Sequence, residues 1–155
     1  MAKYYRRRRY YRKGKYQIEN KPIGFTAPTT QENGFYQNQQ IVVPSTTQEG
    51  VRQVARMTIT LTGSPDSSGS VAWALVYLPE GTQYTTALFP TNDTLYEPSS
   101  YVLASGISDS TAGPIRISSK IRKNLNAGDR IALLTAATGS GSRYIGLLRY
   151  AIRYN

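Results

Sequence analysis

Eight cationic side chains, Lys3, Arg6, Arg7, Arg8, Arg9, Arg12, Lys13 and Lys15, fall within the first sixteen residues with no acidic residue among them. Tyr4, Tyr5, Tyr10, Tyr11 and Tyr16 are interleaved. A planar guanidinium grips a phosphate through two hydrogen bonds or lies flat on a base, and each cation brought near a phosphate releases a condensed counterion. Tyrosine rings stack on unpaired bases at about 1 to 3 kcal/mol per base, so the mixture suits a single strand better than a duplex. The chemistry on offer is binding of a polyanion. Three other uses of such a run are a nuclear-localisation signal, a tether to an acidic membrane surface and a tail that only confers solubility.

Charge sets this arm apart from the rest of the chain. The 155 residues hold 19 Lys+Arg and 9 Asp+Glu, for a net charge of +10. Outside the first sixteen residues, 11 basic residues face all 9 acidic ones, leaving +2. The arm buries too little apolar surface to offset the entropy of ordering it, so it is expected to be disordered or extended on its own.

Catalytic chemistry finds little material. There is no cysteine and no histidine, which removes thiolate and imidazole metal sites, disulfides and the Ser–His and Cys–His nucleophile pairs. The carboxylates are spread singly along the chain, and the glycines punctuate turns instead of forming a phosphate-binding loop. We expect no enzyme, no metal and no cofactor. No segment approaches eighteen apolar residues, so no membrane insertion is expected.

The elements that must carry the arm read as strands. Residues 17–38 are rich in Gln, Asn, Thr and Pro and read as a linker, ahead of a short β run at 40–43. Ala55, Met57, Ile59 and Leu61 alternate with Arg56, Thr58, Thr60 and Thr62, the period of a half-buried strand. Residues 71–78, with Trp73 and Tyr77, are apolar on both faces and read as a central strand. Further strands are expected at 101–106, 115–122, 131–136 and 144–154, with a short one near 85–89. On 115–122, Ile115, Ile117 and Ile121 oppose Arg116, Lys120 and Arg122. These three and Lys123 form a possible secondary basic surface, with a solvated strand face as the equal alternative. On the last strand Arg143, Arg149 and Arg153 share a parity and suit either acidic loops or a neighbouring subunit. Seven or eight strands, no helical period and long connections predict an all-β, antiparallel single jelly-roll sandwich of about eight strands. The domain plan is an arm at 1–16, a linker at 17–38 and the sandwich at 39–155.

Trp73 to Gly81, Leu95 to Pro98, Val102 to Ile107 and Ile117 to Asp129 resemble segments of the small capsid proteins of circular, replication-protein-encoding single-stranded DNA viruses (CRESS-DNA viruses). The resemblance runs through residues 51–155, and through the arm in composition. It implies a coat protein that self-assembles into an icosahedral T=1 shell of sixty copies, with the arm inside on a single-stranded DNA genome. It also implies a virion component that passes through the host nucleus, with the arm engaging an import receptor. Sixty arms would bring about 480 positive charges inside, enough to neutralise on the order of 500 nucleotides. A satellite-type RNA virus coat protein is similar in size, arm and fold. Two readings from other classes are a monomeric single-strand-binding module built on an OB-like barrel, and a jelly-roll lectin or enzyme with a basic tail.

Overall fold

A computed structural model describes residues 15–30, 34–64, 69–82 and 101–154. These form nine strands: β1 (Gln17–Thr26), β2 (Tyr36–Val43), β3 (Arg52–Gly63), β4 (Ser70–Leu78), β5 (Val102–Asp109), β6 (Ile115–Ser119), β7 (Lys123–Leu125), β8 (Arg130–Ala137) and β9 (Arg143–Tyr154). A single 3-10 turn, Ser110–Ala112, is capped by the Asp109 carboxylate, which accepts from the Thr111 amide. The expected strand near 85–89 lies outside the described residues.

The strands make two antiparallel sheets. The first runs β1-β9-β3-β6, with β7 also on β3, and the second runs β2-β8-β4-β5. Apart from the β4–β5 and β6–β7 steps, every connection crosses from one sheet to the other. That two-sheet interleaving is a jelly-roll-like sandwich, as the strand spacing predicts.

Between the sheets, Val54, Met57, Ile59, Leu61, Ile117 and Leu148 of the first meet Val43, Val71, Leu75, Ile131 and Leu133 of the second. A second apolar cluster, Ala74, Val76, Leu78, Ala132, Leu134 and Ala136, lies on the other face of the second sheet, with Phe35, Ala72 and Tyr101 against it. β4 and β8 are therefore covered on both sides. This is what their unbroken apolar runs predict. Trp73 and Tyr77 pack on the inter-sheet core, half-buried.

Three readings need correction. Residues 17–26 are not linker: β1 pairs over ten residues with β9, from Gln17 opposite Ile152 to Thr26 opposite Arg143. Its polar composition hides it, because its backbone groups are satisfied by β9 and its inner face is only half-buried. As an edge strand it also tolerates Pro22, whose missing N–H costs no ladder bond on the open side. The run 115–122 is two strands. Met57 pairs Ser119 and Val54 pairs Lys123, so three steps on β3 span four on its partner and Lys120–Arg122 are left exposed.

The third correction lies opposite that break. The β3–β9 register shifts between Ala55 and Thr58, and Arg56 there has φ 53. The bulge adds one residue and resets the alternation. Met57, Ile59 and Leu61 still face the core, now with Arg52 and Val54, whereas Ala55 stands in the outward row of Ala151 and Ile18.

Candidate nucleic-acid interface

Of the predicted arm contacts, Lys3, Arg6, Arg7, Arg8, Arg9, Arg12, Lys13, Tyr4, Tyr5, Tyr10 and Tyr11 lie outside the described residues. Lys15 is described and exposed. Next to it, Tyr16 is fixed at the start of β1: its hydroxyl donates to the Gln53 amide oxygen, and the Arg153 guanidinium sits 5.1 Å from its ring centroid. Gln53 in turn donates to Asn124 Oδ1 at 2.8 Å. The arm thus joins the sandwich on the first sheet, at the end where β1, β9, β3 and β7 lie side by side.

The secondary basic surface does not hold together as a unit. Arg116 points outward from β6, between the buried Ile115 and Ile117. Lys120 and Arg122 sit on the exposed link between β6 and β7. Lys123 has the parity of buried Leu125 and turns toward the second sheet, its Nζ standing 3.9 Å from the Tyr77 ring centroid. Burial of half of a β strand, which sequence alternation alone does not locate, separates it from the other three.

Tyr77 leads into a buried polar knot. Its hydroxyl donates to Asp129 Oδ2 at 2.8 Å, the Asn126 amide donates to the same oxygen, and the Glu80 amide donates to Oδ1. Arg52, also buried, spans the Pro44 and Asp129 carbonyls with its two terminal nitrogens. Burial first, then the hydrogen bond to Asp129, pushes the Tyr77 hydroxyl up to about 12. Gly128 makes this turn possible at φ 82, with Glu80 occupying the space a side chain would need. Every oxygen of the Asp129 carboxylate is engaged in holding β4, β7 and β8 together, so the knot is structural.

The cations that do share a surface are ones the alternation marked without placing. Arg143, Arg149 and Arg153 project from β9 on the face away from the core, opposite in parity to buried Tyr144, Leu148, Tyr150 and Ile152. Arg149 lies in one cross-sheet row with Asn20, Thr58 and Ser118, all exposed. The next row is Pro22, Leu147, Thr60 and Arg116. Arg56 rises from the bulge beside Arg149. Among the described residues no carboxylate projects from the strands of this face: Glu19 has the inward parity of Ile23, Glu49 lies in the loop before β3 beside Arg52 and Tyr154, Glu80 packs at Gly128, Asp109 belongs to β5, and Asp129 is buried. Ile18, Ile145 and Leu147 are the exposed apolar members of the face.

No protein-family model and no curated protein matches the chain. A solved structure of Desmodium yellow mottle tymovirus is similar to it. That match has 13% sequence identity, covers 90% of this chain and 88% of the other, and has a TM-score of 0.45. The assignment of the fold rests on the strand order given above, which stands without it.

Proposed function

We propose that this protein is a viral coat subunit that self-assembles into a closed shell and packages a single-stranded genome through its basic arm. The observation that carries the reading is the coupling of two features. The strand order β1-β9-β3-β6 over β2-β8-β4-β5 gives a jelly-roll-like sandwich, and a run of eight cations and five tyrosines feeds directly into its first strand. The sandwich alone serves shells, lectins and enzymes alike, so the arm is what selects among them. Its composition binds phosphate without reading sequence and stacks on unpaired bases. An OB-like module is disfavoured by the two separate sheets, of five and four strands, since that fold is one five-stranded barrel.

In its finer form the proposal is a T=1 shell of sixty copies around single-stranded DNA, with the arm also serving as the nuclear-import signal. The test is electron microscopy of the purified protein after nuclease treatment, with the 260/280 nm absorbance ratio of the same fraction. Uniform small shells that protect nucleic acid are expected, and the extract is expected to be degraded by DNase and not by RNase. RNase sensitivity would replace DNA by RNA and keep the coat reading. Monomers that bind single strands and never assemble under any salt or nucleic-acid condition would overturn it. Fusing residues 1–16 to a fluorescent protein tests import separately.

A further inference from the structure

We infer that the outer face of the first sheet is a second single-strand-binding surface, continuous with the arm, and that it forms the genome-facing wall of the subunit; this rests on the coat reading above. Five arginines, Arg56, Arg116, Arg143, Arg149 and Arg153, project from it. Among the described residues, no carboxylate projects from these strands on this face and no ion pair to any of the five is seen. An arginine cluster left without internal counter-charge is a standing electrostatic demand for an external polyanion. Hydroxyl and amide groups lie between them in the row Asn20, Arg149, Thr58 and Ser118, suited to phosphate and sugar oxygens.

The arm supplies continuity. Its last residue, Tyr16, lies under Arg153 at the end of this same face, so a strand held by the arm passes onto the sheet without crossing the sandwich edge.

Backbone strain supplies an independent argument. Arg56 adopts φ 53, the left-handed region where glycine and asparagine sit at little cost and other side chains do not. The bulge needs a residue of that conformation, and glycine would meet the need with less strain. An arginine there accepts strain and leaves an exposed cation next to Thr58, itself paired with Arg149. Strain of this kind clusters at functional positions, and here it supports an outside contact for Arg56.

The experiment uses the full-length chain and a 60-nucleotide poly-dT probe, with binding followed by fluorescence anisotropy from low to high salt. Arg116→Gln with Arg149→Gln is compared with Gln39→Glu with Ser105→Glu, which lowers net charge equally on the second sheet. The arginine pair is expected to make the log–log salt slope shallower by about 1.4 and to weaken binding about 25-fold at 0.1 M salt. The control pair is expected to change the slope little. Arg56→Gly is expected to flatten the slope by about 0.7 while raising the melting midpoint by about 2 to 4 °C, a combination that a purely structural role would not give. Equal effects from both pairs would reduce the face to net charge and overturn the inference. So would an unaltered slope accompanied by loss of self-association, which would make the face a contact between copies. If the unsubstituted chain fails to bind the probe at all, the coat reading itself falls.

Discussion

At the scale of single residues, the Asp129 knot shows how a jelly-roll end is fixed without apolar bulk. One buried carboxylate accepts from a hydroxyl and two amides, on the end of β4 and on the turn after β7. Asp129→Ala would leave the Asn126 and Glu80 amides unanswered in a closed site, and we expect a loss of about 3 kcal/mol on urea denaturation. Tyr77 makes the knot sensitive to base. Its hydroxyl is held protonated up to about 12, against an ordinary value near 10. The fold favours the neutral phenol, so this contribution is complete below pH 10 and drains away between pH 10 and about 12. Tyr77→Phe is expected to flatten the stability profile over that interval, and an unchanged profile would dismiss the linkage. None of this is visible in sequence: only Asn126 is near Asp129 in the chain, and its other two partners are 49 and 52 positions away.

At the scale of elements, β9 is the member everything else leans on, lying between β1 and β3 along its full length. Gly146 lets β3 come close, since a Cβ built there would fall onto the Thr60 carbonyl oxygen. Gly146→Ala should therefore destabilise the sandwich by about 3 kcal/mol in chemical denaturation, by prising β9 from β3. A neutral outcome would mean that the two strands slide apart at little cost. Legibility divides along the same line. β4 and β8 announce themselves because burial on both faces demands an unbroken apolar run, and the parity of Tyr144, Leu148, Tyr150 and Ile152 in β9 is equally plain. β1 is mute because β9 does its stabilising. The bulge at Arg56 is mute because a one-residue slip is a property of a pair of strands. Composition located the arm, but whose face it joins required knowing that β1, β9, β3 and β6 are neighbours.

At the scale of the whole molecule, charge is divided unevenly along the chain: residues 1–16 hold eight cations and no acid, and the rest carries a net +2. If arms set the packaged length, replacing Arg6, Arg7, Arg8 and Arg9 by Gln should cut the nucleotides recovered per shell to about half, since phosphate neutralisation scales with cation count. Shells should still form, because the nine described strands begin at Gln17 and hold none of the four substituted residues. An undiminished load would move the packaging role onto the sheet face alone. A further consequence lies in the pairing of Gln17 with Ile152. The first and last strands run side by side, so the chain enters and leaves the fold at one corner. On the proposed coat reading, a passenger protein grafted behind residue 155 would start from the side of the shell on which β1 begins and travel with the genome. That corner would then serve as a loading dock, and protection of the passenger from protease in intact shells would report which way it faces.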